Sequence, residues 1–589
     1  MPAGTSTRDF AFPLNVFAHV LERQEGRVDY LHFAAFERPD EPVLQAQERA
    51  TAMLWSALPP PCRLLEVGIG LGTTLSRLGA AGYHAMGITP DAAQIAQARQ
   101  RHGDAVHVEC ARLEDFSTGA GSWNAMLFQE SAQYIEPLAL FMAAERLLTR
   151  GPATLVVMDE FALKREDESH WGLHLLPHFI AMANRFGWRL VQHADLSREV
   201  QPTLDYLLRT IAPRHAELRG QLGLDDQALA GLDSALRRSQ RLYRDGFSGY
   251  ALLRFEREAP AEEQVLRVGP GDAASVRGLF HEVFGHPLSP EEWHWKYGDG
   301  RGTAVALLKG GRWLGHYGGL TRDVLDRGQP AKACQVCDVI VHPDARASLS
   351  RRGPLHKMTA TFLESEIGWG LRHRVGFGFP TDRAFGIAQR LGLYFAVDQM
   401  LCAHWPAAPA ASSSTPARLG PLQPLSAADL ALGAALGQAV DALWRAMAAA
   451  FNTQVLGVRD AAWLRHRYLN HPRMRYEVLL LRSRWWRRPL GVVVVRRHES
   501  HLEWVDVVAP PAAWPALLQT TRAHAAGAGL QRVDAWITAS QRHLLDGLAP
   551  DVGWRPLAID VPGNAHSPGP DADDQRGRWL LMAGDTDFR

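Results

Sequence analysis

Arg63-Leu64-Leu65-Glu66-Val67-Gly68-Ile69-Gly70-Leu71-Gly72-Thr73-Thr74 runs a short apolar segment into three glycines at alternate positions, and a helical pattern follows over 73–82. Glycine is needed where a backbone turns sharply and must come close to a ligand with no Cβ in the way. The start of the next helix offers unpaired N–H groups and the positive end of its dipole. Together these features predict a strand–turn–helix unit that cradles a nucleotide or nucleoside at the carboxyl edge of a parallel sheet.

Two ligand classes compete for such a turn. A dinucleotide fingerprint orders its glycines G-x-G-x-x-G, whereas here the third glycine comes one residue early and Thr73 takes its place. Glu66, two residues before the first glycine, would repel a pyrophosphate and suits an amine-bearing or cationic ligand. S-adenosylmethionine, with its ammonium, sulfonium and ribose, satisfies both observations.

The downstream segments fall into a consistent order. A second strand over 84–89 ends at Thr89, with Gln94 five residues on. Val106-His107-Val108-Glu109 leads to Arg112-Leu113-Glu114-Asp115-Phe116, and a fourth strand over 123–128 runs into Gln129-Glu130-Ser131-Ala132-Gln133-Tyr134. A fifth strand over 153–159 and a late pair near 188–191 and 249–253 would close the sheet. This set resembles the class I S-adenosylmethionine-dependent methyltransferases. Thr89 and Gln94, where many members hold the ribose with a carboxylate, resemble the cyclopropane-fatty-acid-synthase branch.

The resemblance implies a Rossmann-like seven-stranded domain over 1–258. It implies cofactor contacts at Glu66, Gly68, Gly70, Gly72, Thr89, Gln94, Leu113, Glu114 and Gln129. Glu130, Gln133 and Tyr134 would lie beside the sulfonium as candidate catalytic residues, with polar satisfaction of the strand end as the alternative reading. The branch's Glu-His pair is absent, because Ser131 follows Glu130; ring formation on lipid double bonds is therefore not implied.

Composition bounds the remainder. The 63 basic and 63 acidic residues cancel, which argues against a dedicated nucleic-acid binder. Only five lysines occur, Lys164, Lys296, Lys309, Lys332 and Lys357, so arginine carries nearly all the positive charge. Five cysteines in 589 residues exclude a disulfide scaffold and fit a reducing cytoplasm. The first twenty residues show no secretory pattern, and no segment approaches the ~18 apolar residues of a membrane span. A cytoplasmic protein with neither nucleic-acid nor membrane partners is the expectation.

Two seams divide the chain further, a charged stretch near 256–264 and the Ala/Pro/Ser-rich linker 406–424. Blocks 263–405 and 425–589 share an order: an aromatic-basic helix end (Trp293-His294-Trp295-Lys296-Tyr297; Trp463-Leu464-Arg465-His466-Arg467-Tyr468), a short strand, a turn, and a strand opening on Gly315 or Gly491. Two copies of one unit are predicted. In the first, Val341, Pro343 and Arg346 match the V-x-P-x-x-R of the coenzyme A loop of Gcn5-related N-acetyltransferases (GNATs), and Arg352-Gly353 follows an apparent insertion over 347–350.

That resemblance implies a GNAT-like lobe binding acetyl-CoA or another acyl-CoA through Val341, Arg346, Arg352 and Gly353, followed by a second, cofactor-free GNAT-like lobe. The fold class is thus α/β throughout. No metal site is predicted, since His170/His174 and Cys334-x-x-Cys337 each lack partner ligands at suitable spacing. Asp506, Asp585 and Asp587 could line a cleft between lobes or serve as ordinary turn residues.

The expected activity is methyl transfer to a small molecule, such as a sugar nucleotide or secondary-metabolite precursor, with acyl-CoA-dependent N- or O-acyl transfer by the C-terminal module. The alternative makes that module a noncatalytic substrate-binding unit or one that docks an acyl carrier protein.

Overall fold

The glycine-bearing segment supplies the central strand of a seven-stranded sheet. In a computed structural model, describing residues 7–119, 121–170, 172–346, 350–408 and 419–588, the strands are β1 (Arg63–Val67), β2 (His84–Thr89), β3 (Val108–Cys110), β4 (Ala125–Gln129), β5 (Ala153–Ala162), β6 (Arg189–Asp195) and β7 (Ser248–Arg257). Their order is β3-β2-β1-β4-β5-β7-β6, parallel through β5, with β7 antiparallel to both neighbours. Strand order reverses between β1 and β4, and ligands of such sheets bind in the crevice beyond the carboxyl ends at that point. β4 and β5 are buried along nearly their whole length, as expected of parallel strands covered on both faces.

The helical stretch expected over 204–243 is three helices, Pro202–Ile211, His215–Leu222 and Asp226–Arg244. Pro213 and Gly223 interrupt it, the latter at φ 66°. His170 and His174 do not share a helix, because the next one begins only at Leu176. His174 Nε2 faces the carbonyls of Ala132 and Ile135 at 3.1 and 2.8 Å, which gives it a structural role.

The chain separates into two compact units, Met1–Leu266 and Arg267–Arg589, with β8 (Glu263–Arg267) spanning their boundary. In the second unit, β9 (Gly302–Lys309), β10 (Arg312–Asp326), β11 (Gln329–Val341) and β12 (Val375–Gly378) belong to one sheet. β13 (Tyr394–Pro406), β14 (Gln423–Pro424), β16 (Glu477–Arg482), β17 (Pro489–Arg497), β18 (His501–Val508), β19 (Arg532–Thr538) and β20 (Gly553–Asn564) form another, in the order β14-β16-β17-β18-β19-β13-β20. β15 (Val455–Gly457) and β21 (Trp579–Leu580) extend the first sheet as β12-β11-β10-β15-β21.

The sequence on either side of the Ala/Pro/Ser stretch thus exchanges strands. One hydrophobic cluster running from Val324 to Ala583 takes residues from both sheets and from both sides of that stretch. Residues 347–349 and 409–418 of the expected insertion and linker lie outside the described residues.

The two segments that match in sequence also share a side-chain arrangement. Tyr297, ending the helix Pro290–Tyr297, donates to Asp338 Oδ2 at 2.7 Å; Tyr468 donates to Asp506 Oδ2 at the same distance. A Cβ on Gly318 would fall 2.1 Å from the Tyr297 hydroxyl, and one on Gly584 would fall 2.0 Å from that of Tyr468. The two copies differ in what surrounds the pair. In the second, Arg459 is fully buried between Asp506 and Asp585, and its Nε donates to Asp506 Oδ1 at 2.7 Å. In the first, the pair opens on a cavity.

Candidate active sites

In the first unit a cavity of about 420 Å³ lies at the carboxyl ends of β1, β2 and β4. Gly68, Gly70 and Gly72 have φ of 82°, 52° and 76°, the left-handed region that a Cβ disfavours. Glu66 and Gly68, Gly70, Thr89, Gln94, Leu113, Glu114, Gln129, Glu130 and Tyr134 all line the cavity. Gly72 stands behind the wall, where a Cβ would meet that of Ala98 at 2.8 Å. The Gln133 side chain is not on the wall, and its backbone N–H donates to Asp159 Oδ2 at 3.0 Å.

Several polar groups here await a partner. Glu66 is 1% exposed, its Oε2 is unpaired, and burial pushes its carboxyl up to about 8. Gln129 accepts from Thr74 Oγ1 at 2.9 Å, which leaves its buried Nε2 unpaired. Thr89 Oγ1 donates to Gln94 Oε1 at 3.1 Å, and Asp91 caps the following helix by accepting from the N–H of Ala93 at 2.8 Å. Unpaired buried acceptors and donors are costly, so this wall is complementary to a ligand with its own hydroxyl and amine groups. That chemistry fits S-adenosylmethionine.

Glu130 takes φ 56°, a strained conformation for a residue with a Cβ. Its Oε1 accepts from the N–H of Phe33 at 2.5 Å and the hydroxyl of Tyr250 at 2.6 Å. Burial, the largest cause, together with the charges of Asp159 and Glu160, holds its carboxyl well above the usual range. Tyr134 is 77% exposed, and its phenol is raised above its ordinary range by desolvation and by the charges of Glu130, Asp159 and Glu160; it is a hydrogen-bond donor at neutral pH. Sequence reasoning missed Asp29, Tyr30, Leu31 and His32, which close the cavity from before β1. No glycine or charge pattern marks them.

Asp159, fully buried, is pushed up by burial to about 7. An acid raised in the folded state contributes stability at low pH that is lost as pH climbs through its folded pKa. Glu66 and Asp159 should each cost up to about 1.4 kcal/mol per pH unit within their windows. The melting temperature of the ligand-free protein is therefore expected to fall between about pH 5 and pH 8, less steeply in Glu66→Gln. A flat profile in the wild type would refute the assignment.

The second unit holds a larger cavity, about 890 Å³, with walls from Phe280, Phe284, Val339, Leu355, Phe379 and Ile387 among others. Lys296 Nζ lies 2.8 Å from Asp338 Oδ1 and 3.2 Å from Asp587 Oδ2, and all three residues line the cavity. One ammonium facing two carboxylates leaves the cluster with net negative charge. β10 and β11 are out of register here: Asp338 and Val339 oppose Tyr317 alone, and Asp338 has φ 47°. Burial and the neighbouring Asp338 charge raise the Asp587 carboxyl against the pull of Lys296. The Lys296 ammonium and the Tyr297 hydroxyl hold Asp338 below its ordinary range.

Val341 and Arg346 line this cavity, and Arg346 Nε donates to the carbonyl of Val341 at 2.9 Å. Arg352 is exposed and Gly353 caps the helix Pro354–Glu366; neither is on the cavity wall. The Gly353 N–H donates to the Ser350 carbonyl at 2.9 Å and Pro354 has no N–H, so what this helix start offers a pyrophosphate is its positive dipole end beside arginines. Asp506 and Asp585 are buried and paired with Arg459 and are not on the wall of this cavity, whereas Asp587 is. Cys334 and Cys337 are both buried, with Cys337 Sγ 3.4 Å from the Tyr297 hydroxyl.

A methyltransferase domain family matches residues 65–156, and an acetyltransferase (GNAT) domain family matches residues 265–394. The chain carries a methyltransferase domain and a GNAT domain in an α/β architecture. Among solved structures it is similar to geranyl diphosphate C-methyltransferase from Streptomyces coelicolor A3(2), at 17% identity and TM-score 0.31, covering 44% of this chain and 100% of that one. It is similar to the mycolic acid cyclopropane synthase CmaA1, at 17% identity and TM-score 0.34, covering 38% and 94%. It is also similar to a conserved protein from Enterococcus faecalis V583, a probable N-acyltransferase, at 13% identity and TM-score 0.41, covering 52% and 73%. Among curated proteins, none matches the chain. No described helix is long and apolar enough to cross a membrane.

Proposed function

We propose that this protein is a two-activity cytoplasmic transferase, moving a methyl group to a small-molecule acceptor in its first unit and an acyl group in its second. The observation that carries the first activity is the convergence of unpaired Glu66 Oε2 and Gln129 Nε2 with the Thr89–Gln94 pair on one cavity over the glycine turn. S-adenosylmethionine supplies the electrophilic methyl when bound. Glu66 and Gln129 hold its amine-bearing end, Thr89 and Gln94 the ribose, and Leu113 and Glu114 the adenine. Glu130, with Oε1 occupied by two donors, keeps Oε2 for the proton of an acceptor. Tyr134 donates a hydrogen bond to that acceptor. The acceptor class we propose is a sugar nucleotide or a secondary-metabolite precursor.

The second activity rests on the Lys296–Asp338–Asp587 cluster beside the Val341–Arg346 loop. Acyl-CoA supplies the thioester when bound, its pyrophosphate met by Arg346, Arg352 and the Gly353 helix start. Asp587 takes the proton of an attacking amine or hydroxyl. The apolar walls favour an acyl group or acceptor larger than acetate.

Calorimetric titration with S-adenosylhomocysteine tests the first reading. Binding is expected in the wild type and should weaken roughly 10- to 100-fold in Glu66→Ala, the worth of one charged hydrogen bond. Binding of a nicotinamide dinucleotide in its place would overturn it.

A further inference from the structure

The β16–β17 hairpin ends in a feature that neither transferase site uses. Within the strands, Val478–Leu481 and Val492–Val495 are buried in the second unit's core, so the hairpin is firmly rooted. Its loop, 483–488, is closed by two bonds: the Ser483 N–H donates to the Arg488 carbonyl at 2.9 Å, and the Arg488 N–H donates to Ser483 Oγ at 3.0 Å. At the tip, Trp485 is 74% exposed and Trp486 is 84% exposed. Tryptophan is usually well buried, and two adjacent ones left open need a reason.

Charge around them is one-sided. Between Glu477 and Glu499 the chain has six arginines and no carboxylate. Arg496 is paired with Glu503 and Arg497 donates to the Ala528 carbonyl. Arg482, Arg484, Arg487 and Arg488 remain near the tip, with the Arg484 guanidinium 5.6 Å from the Trp485 ring.

We propose that this hairpin tip is a docking element for the surface of an anionic lipid bilayer. Indole rings favour the headgroup region, where an apolar body and a polar N–H are both satisfied, and arginines beside them meet lipid phosphates. The absence of a spanning segment concerns crossing a bilayer, not resting on one. Single-stranded nucleic acid also stacks on aromatics, but it is held in a basic groove that tracks its backbone. Rings this exposed have no groove wall beside them, and the chain has no net positive charge.

The test is co-sedimentation of the full chain with vesicles of phosphatidylcholine alone or mixed with phosphatidylglycerol. Binding is expected on the mixed vesicles, with a blue shift of tryptophan emission, and should decline as salt rises. A W485S/W486S variant should bind at least about tenfold more weakly, and an R484Q/R487Q variant should lose the preference for anionic lipid. Both variants should keep the wild-type melting temperature, since the side chains changed are exposed. No binding by the wild type, undiminished binding by the tryptophan variant, or preferential retention of oligodeoxythymidine would overturn the proposal.

Discussion

Gly68→Ala is expected to weaken binding of S-adenosylmethionine roughly 100-fold, the sum of a left-handed backbone penalty and an overpacked contact. Gly68 has φ 82°, and a Cβ there would lie 2.4 Å from Ser131 Cβ. The turn can relieve that overlap only by moving, and its position sets the ligand-facing backbone. Two companions separate the causes. Gly70→Ala, at φ 52° with nothing within 4 Å of the added Cβ, should show the backbone penalty alone, about tenfold. Adding Ser131→Gly to Gly68→Ala removes the clashing atom and should recover about tenfold, a coupling that calorimetry on wild type, Gly68→Ala, Ser131→Gly and their double variant would read directly. Equal affinities for wild type and Gly68→Ala would mean the turn does not hold the ligand.

Asp587→Asn is expected to lower acyl transfer by about 10²- to 10⁴-fold, the usual worth of a positioned base, with coenzyme A affinity unchanged. Asp587 must be ionised to take a proton, and its carboxyl is raised above the ordinary range. The wild-type rate should therefore fall as pH drops through that raised value, and the inflection should vanish in the asparagine variant. Lys296, Asp338 and Cys337 face it, with the Glu292–Arg473 pair and His471 also on the cavity wall. His471 is held down at about 3, chiefly by burial, and stays neutral across this range. Full activity in the variant, or an unaltered pH profile, would remove Asp587 from the reaction.

The legible part of this protein was local. Three alternate glycines after an apolar strand, an acidic residue before them, and a Thr–Gln pair at the end of the next strand are short-range patterns. Each records a backbone or hydrogen-bond requirement met within a few residues, so the strand–turn–helix unit and the succession of strands along the first domain could be read locally, while the cavity contacts came from the family resemblance. The Tyr297 and Tyr468 segments match in sequence, and each tyrosine bonds an aspartate in the fold, Asp338 and Asp506. Lys296 offered a faint signal that was not used for function, as one of only five lysines in an arginine-rich chain.

What folding alone decided is non-local. Lys296, Asp338 and Asp587 are separated by up to 291 positions and meet only because the chain's end returns to the first copy of the repeat. Strand exchange between the two sheets comes with a hydrophobic cluster drawn from both sides of the Ala/Pro/Ser stretch, a property of packing that no window of sequence contains. The difference between the copies is of the same kind: an aspartate bonded to tyrosine faces a cavity in one and a buried guanidinium in the other. Periodicity and turn chemistry act over a few bonds and are written in the chain, whereas which charges share a low-dielectric space depends on how distant segments close upon each other.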